Sequence, residues 1–213
     1  MTWVYHETNR PNSMTAYEMS QNVDEIYAQF YSVYHWSVNA ICAVLGNMQH
    51  ESYLNPAQTQ IGYPIGSTSG GYGLCQWTPS TKLTNWLRAN NHSLYSGFWQ
   101  LYYLNFESGG TEYIPTAQFP ETYAEFKVSG QTIAYLTECF LKNYERASVE
   151  ALSQRIQYAE NWYRYLMGTD PPPEPTPTPP VPPDPPAPPD PDPSGYKGRT
   201  KMWIFLRNPR LRQ

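Results

Sequence analysis

The sequence predicts a mainly α-helical domain over residues 1–170, an extended proline-rich linker over 171–193 and a short basic tail over 194–213. Three observations carry that prediction. Apolar residues recur at spacings of three and four in several separate runs of the first 170 residues, the period of helices that bury one face. Of the 22 prolines among 213 residues, 15 fall between Pro171 and Pro193, where missing N–H donors and a fixed φ rule out helix and sheet. One stretch, Ile61 to Leu74, interrupts the helical pattern with five glycines plus Tyr63 and Tyr72, and suits a loop or small irregular hairpin.

Residues 13–34 read as the first helix: Ser13 or Thr15 offers a capping oxygen, and Ala16, Met19, Val23, Ile26, Tyr27 and Phe30 form one stripe. Residues 37–52 are the expected packing partner, with Ser37 as cap and Ile41, Val44, Leu45 and Met48 as stripe, ending near Asn55-Pro56. Two shorter helices follow, 80–91 (Leu83, Trp86, Leu87) with a Ser80 cap and 94–107 (Leu94, Phe98, Leu101, Tyr102, Leu104), the second stopped by Gly109-Gly110. A loop is expected from Gly109 to Ser129. Helical stripes then return over 131–145 (Ile133, Leu136, Phe140, Leu141, Tyr144) and 148–167 (Val149, Leu152, Ile156, Ala159, Trp162, Tyr163, Leu166), with Gly168 as the stop. The linker should be a polyproline II spacer of about 70 Å if fully extended at roughly 3.1 Å per residue.

Charge is divided unevenly. Residues 1–170 hold 8 basic against 14 acidic residues, a net of −6, whereas the tail holds six basic residues and no acid. An acidic domain repels a polyphosphate, so no nucleic-acid partner is expected for it. A mean hydropathy of −0.63 and the lack of a long apolar run exclude a transmembrane segment. Glu7, Glu18, Asp24 and Glu25 break up the first 30 residues, so no Sec-type signal peptide is expected. The three cysteines, Cys42, Cys75 and Cys139, show neither CxxC nor zinc-site spacing, and Cys42 and Cys139 sit in apolar helical runs as inert thiols do. No P-loop, dinucleotide fingerprint, HExxH or Gly-x-Ser-x-Gly occurs, so neither cofactor nor metal is implied.

The sharpest chemical feature is Glu51. It continues the face of Ile41, Val44 and Met48, which places a carboxyl at the end of an apolar stripe and just before the Gly-rich loop. Desolvation there would raise its pKa, as a general acid needs; a solvated or loop-holding carboxylate is the plainer alternative.

The words around Glu51 are specific. Gly46-Asn47-Met48-Gln49-His50-Glu51-Ser52-Tyr53-Leu54-Asn55-Pro56, then Gly70-Gly71-Tyr72-Gly73-Leu74-Cys75-Gln76-Trp77-Thr78, resembles the phage tail lysozyme family, related in design to goose-type lysozymes and soluble lytic transglycosylases. Tyr144-Glu145-Arg146, followed by Arg155, Ala159 and Trp162, is similar to the late helix pair of that family, so the resemblance covers about residues 20–167. It implies a lysozyme-like domain that cleaves the MurNAc-GlcNAc glycan strand of bacterial peptidoglycan, made by a bacteriophage and carried in the virion tail for host entry. It also implies roles for residues: Glu51 as general acid, Gln76 across the cleft, and Tyr72 and Trp77 as walls for pyranose rings. Gly73 would give close backbone approach to sugar, and Tyr53 or Tyr144 would stabilise an oxocarbenium-like state.

Glycosidases usually pair two carboxyls, about 5–5.5 Å apart for retention and about 6.5–9.5 Å for inversion. Between Glu51 and Lys82 the sequence has no Asp or Glu, so a partner must come from Glu107, Glu112 or Glu145. Glu145 ranks first because it lies in the family-like segment, although a salt bridge to Arg146 or Arg155 is its plainer use. Without a partner, Glu51 would act alone while the substrate's 6-hydroxyl attacks, the lytic transglycosylase outcome. Rival readings are an endolysin acting at host lysis, a catalytically silent wall-binding tail protein, and a binder of another polysaccharide. In the tail, Met202 to Leu206 between basic clusters suggests an anchoring peptide for other virion tail proteins, with an anionic membrane surface or a solubilising end as alternatives.

Overall fold

Capping chemistry starts the helices where short polar side chains precede apolar runs. In the computed structural model, which describes residues 3–146 and 151–170, helix α1 (Ala16–Tyr27) begins at Thr15. Thr15 and Glu18 close a capping box: Glu18 N donates to the Thr15 hydroxyl and Thr15 N donates to the Glu18 carboxylate at 2.8 Å. The chain then widens into a π-helical turn, Ala28–Val33. Helix α2 (Val38–Ser52) starts at Ser37, whose hydroxyl accepts from Ala40 N at 3.2 Å. The linker, the basic tail and Val149 lie outside the described residues.

Helix α2 forms the centre. Ala40, Ile41, Cys42, Ala43, Val44, Leu45 and Met48 are all fully buried, as in a helix surrounded by others rather than lying on a surface. Its main partners are α7 (Ile133–Phe140) and α8 (Leu152–Leu166). The expected pairing of the first two helices is a minor contact, made through the π-helical turn. Part of α1 is instead turned to the chain on either side of it: Asn22 donates to Val4 O and Leu54 O.

Close approach of α2 and α8 depends on Gly46. A Cβ there would lie 2.3 Å from Arg155 O and 2.8 Å from Ala159 Cβ. Gly46→Val is therefore expected to lower unfolding free energy by about 3 kcal/mol, read from the denaturant midpoint. An unchanged midpoint would refute this account of the contact.

Between these helices lie α3 (Thr81–Ala89), α4 (Gly97–Tyr102), α5 (Gly109–Glu112) and α6 (Tyr123–Val128). Three expectations are corrected here. Ser80 does not cap α3 with its side chain; its hydroxyl donates to Ser67 O and pins the Gly-rich loop. Gly109-Gly110 does not stop a helix, because α4 runs through a π-helical turn (Tyr103–Ser108) into α5. Gly109 is small for packing: a Cβ would fall 2.2 Å from the Tyr123 ring. The expected loop from 109 to 129 contains α6, started by a second capping box between Thr122 and Glu125.

The Gly-rich segment forms no strand among the described residues. Isolated antiparallel bridges join Thr59 to Tyr72 and Tyr72 to Trp77, a small irregular hairpin beside the end of α2. Elsewhere an aromatic core fixes the packing. Phe30 stacks on Trp36 at 4.2 Å, Tyr123 and Phe126 meet Trp36 edge-on, and Trp36 Nε1 donates to Asn105 Oδ1 at 2.9 Å. Among the described residues no helix is long and apolar enough to cross a membrane.

Candidate active site

Helix α2 ends abruptly, and that ending builds the site. Tyr53 and Leu54 both take left-handed backbone, φ 57° and 58°, and Gln76 does so on the facing loop, φ 46°. Three non-glycine residues in this sparsely populated region around one opening mark a place where the fold enforces local geometry. Ser52 locks the corner by donating to Met48 O at 3.0 Å and Leu74 O at 2.9 Å. Gln100 ties both sides together, donating to Pro56 O at 2.7 Å and accepting from Leu74 N at 3.0 Å.

The resulting cleft has a volume of about 480 Å³, and its lining brings together Glu51, Tyr53, Gln76, Trp77, Tyr144 and Glu145. Tyr72 and Gly73, expected on its wall, are not among the lining residues. The Tyr72 ring is buried, with its hydroxyl reaching Leu94 O, because the hairpin turns that face inward. Gly73, at φ 79°, is pressed against Gln100 and Leu83, so its missing side chain serves loop packing.

Gln76 uses its amide nitrogen to hold the loop, donating to Gln58 O at 3.0 Å and Gly73 O at 3.1 Å. Trp77 and Tyr144 are only 3% and 5% exposed, so they form the cleft's wall rather than open ring platforms. Trp77 Nε1 donates to the Tyr144 hydroxyl at 2.7 Å, which in turn sits 2.7 Å from Ser108 Oγ. This buried network joins the Gly-rich loop, the π-helical turn after α4 and the one after α7 (Leu141–Glu145).

The charged floor differs most from expectation. Glu51 does not stand alone: Arg155 of α8 places Nη2 2.5 Å from Glu51 Oε1, with side-chain exposures of 4% and 21% respectively. Arg155 Nη1 donates to Asn47 Oδ1 at 3.0 Å, and Asn47 is fixed by donating to Ala43 O and Thr137 O. Arg155 is thus spent on Glu51 rather than on Glu145. Of the three second-carboxyl candidates, Glu107 is exposed and not part of the lining, and Glu112 is ion-paired with Lys82 at 3.0 Å. Glu145 remains: its Oε1 is buried with no hydrogen-bond partner among the described residues. Burial first, then the charge of Glu51, pushes its carboxyl well above the usual range, against the opposing pull of Arg155.

With this geometry in view, similarity to known proteins becomes informative. The family model described as phage tail lysozyme matches residues 21–166. The chain belongs to the phage tail lysozyme family. Within this family setting, the chain is 38% identical over 134 residues to "Morphogenesis protein 1" of Bacillus phage B103. That alignment covers 62% of this chain and 36% of the relative, so the chain matches well under two thirds of that protein's length.

For this member of the phage tail lysozyme family, a thiol nucleophile is disfavoured. All three cysteines are free and buried, and desolvation pushes Cys42 to about 12 and Cys139 to about 11. Sequence reasoning missed Asn47 as a site residue, yet it lies one helical turn before Glu51 on the same face. His50, Gln58, Gln60 and Lys82, which also line the cleft, carried no comparable signal.

Proposed function

We propose that the domain over residues 1–170 cleaves the glycan strand of bacterial peptidoglycan, with Glu51 as the general acid. The observation that carries this reading is a carboxyl at the end of the central helix, held by a buried arginine in a cleft whose lining also holds a second, desolvated carboxyl. Glu51 delivers a proton to the glycosidic oxygen between MurNAc and GlcNAc as the C–O bond breaks and its electrons pass to that oxygen. Tyr53 and Gln76 would then contact the sugar, while Trp77 and Tyr144 hold the wall. Attack by water gives a lysozyme and attack by the substrate's 6-hydroxyl gives a lytic transglycosylase; both begin with this proton transfer. Mass spectrometry of soluble products separates them, reducing ends for the first and anhydro-sugars for the second.

A virion tail enzyme acting at host entry is the setting we propose. Family membership and the relative's name, a morphogenesis protein, support it over an endolysin acting at lysis. In this reading residues 171–193 space the catalytic domain from residues 194–213, which anchor it to other tail proteins. Deleting 194–213 is expected to leave peptidoglycan cleavage intact and to abolish incorporation into particles. Unchanged incorporation would remove the anchoring role.

A further inference from the structure

Glu51 meets its acid role already engaged by the Arg155 guanidinium, an ion-pair contact of the kind a carboxylate makes. The proton must reside elsewhere in the cleft when the enzyme is at rest. Glu145 is the group built for it. Its position comes from the π-helical turn that ends α7, where Leu141, Asn143 and Tyr144 are buried and hold the segment against the domain. Oε1 is buried and receives no hydrogen bond among the described residues, although the Arg155 guanidinium is near enough to act on the carboxyl electrostatically. An ionised carboxyl with a buried, undonated oxygen is costly, whereas a protonated one is tolerated.

We propose that Glu145 stores the proton that Glu51 delivers, with Arg155 fixing the asymmetry between the two carboxyls. This rests on the assignment of Glu51 as the acid. At rest Glu145 is a carboxylic acid and Glu51 a carboxylate against Arg155, so the three groups together are neutral. In the cleavage step the Glu145 proton passes to Glu51 and from Glu51 to the leaving oxygen as the C–O bond breaks, and the two ionised carboxyls share the Arg155 charge until a proton returns. A reciprocal return restores the resting state when water or the 6-hydroxyl gives up its proton. Glu145 thereby acts through Glu51 and is a positioning and proton-holding residue.

The surrounding charges agree with this arrangement. Facing the cleft from α2 are Glu51 and His50, whose imidazole partial burial and then Arg155 push below its ordinary value. Arg155 comes from α8, Arg146 follows Glu145 in the lining but is turned to the exposed side, and Glu112 on α5 is ion-paired with Lys82. Cys75 from the loop and Tyr144 from the same turn are both driven upward by burial, so neither thiol nor phenol competes as an anion near neutral pH.

The test uses the full chain with Glu145→Gln, which keeps the shape of the protonated acid, and Glu145→Asp, which keeps the acid. The first readout is stability against pH. A carboxyl raised in the folded state stabilises the fold at pH values below its unfolded value and loses that contribution as pH rises through the folded one. Glu145→Gln cannot lose it, so the Gln variant should gain on wild type steadily as pH rises above the ordinary carboxylate range. A variant that tracks wild type at every pH, or falls behind it at high pH, overturns the stored proton. The second readout is the kcat profile against pH. Glu145→Gln should lower kcat at neutral pH at least about tenfold with KM unchanged, turnover should recover toward acid pH, and Glu145→Asp should restore part of the neutral activity. Wild-type kcat in Glu145→Gln overturns the role even where the stability arm agrees. If wild type cleaves no wall at all, the glycosidase reading falls while the stability arm still reports the state of Glu145.

Discussion

Glu51→Gln is expected to reduce kcat on peptidoglycan by about 10²–10⁴-fold with little change in KM, the range lost when a general acid is removed. The amide keeps an oxygen that can accept from Arg155 Nη2, so the local geometry should survive. Only the exchangeable proton and the charge are lost. The cost to stability should be modest, because the Glu51 side chain retains 21% of its exposure and Gln preserves the contact. Rates of soluble sugar release, measured beside a melting curve for the same preparation, separate loss of chemistry from loss of fold. Retention of more than roughly a tenth of wild-type turnover would place the acid elsewhere.

Arg155→Met should be the more damaging change to the fold. Arg155 is 3% exposed and joins α8 to α2 through Asn47 and Glu51, so its removal leaves a partly buried carboxylate and an amide oxygen without their donor. Breaking a buried pair by deleting one partner costs about 3–5 kcal/mol, and the partial exposure of Glu51 points to the lower end. Activity should fall as well, with a recognisable signature. Arg155 holds the Glu145 carboxyl down, so without it that carboxyl rises further and the alkaline limb of the kcat profile moves to higher pH. Arg155→Lys supplies the charge but not a fork that reaches Asn47 and Glu51 together, and should recover only part of the loss. A Met variant with wild-type midpoint and wild-type profile would remove Arg155 from this account.

Periodicity made the central helices legible because their stripes are long and their caps, Thr15 and Ser37, immediately precede them. It missed α6 because six residues carry too little pattern, although the Thr122 and Glu125 capping box was visible as a start signal. The π-helical turns, which aim Glu145 and Tyr144, leave no trace at helical spacing. The place of Glu51 in the cleft lining was legible from its position at the end of an apolar stripe. Tyr72 was misjudged because hairpin register, which decides the face of a side chain, is not written in a Gly-rich sequence. Arg155 lies 104 residues from Glu51, and that pairing became specific only when α2 and α8 closed over Gly46.

The central claim is that this cleft cuts glycan strands with a Glu51 proton. The most direct measurement is digestion of purified peptidoglycan by the wild-type chain and by Glu51→Gln, with the soluble fragments resolved by mass spectrometry. The account predicts disaccharide muropeptides from wild type alone, ending in reducing or anhydro sugars. Absence of fragments from wild type on walls of several bacterial types, or equal fragments from both proteins, would contradict it.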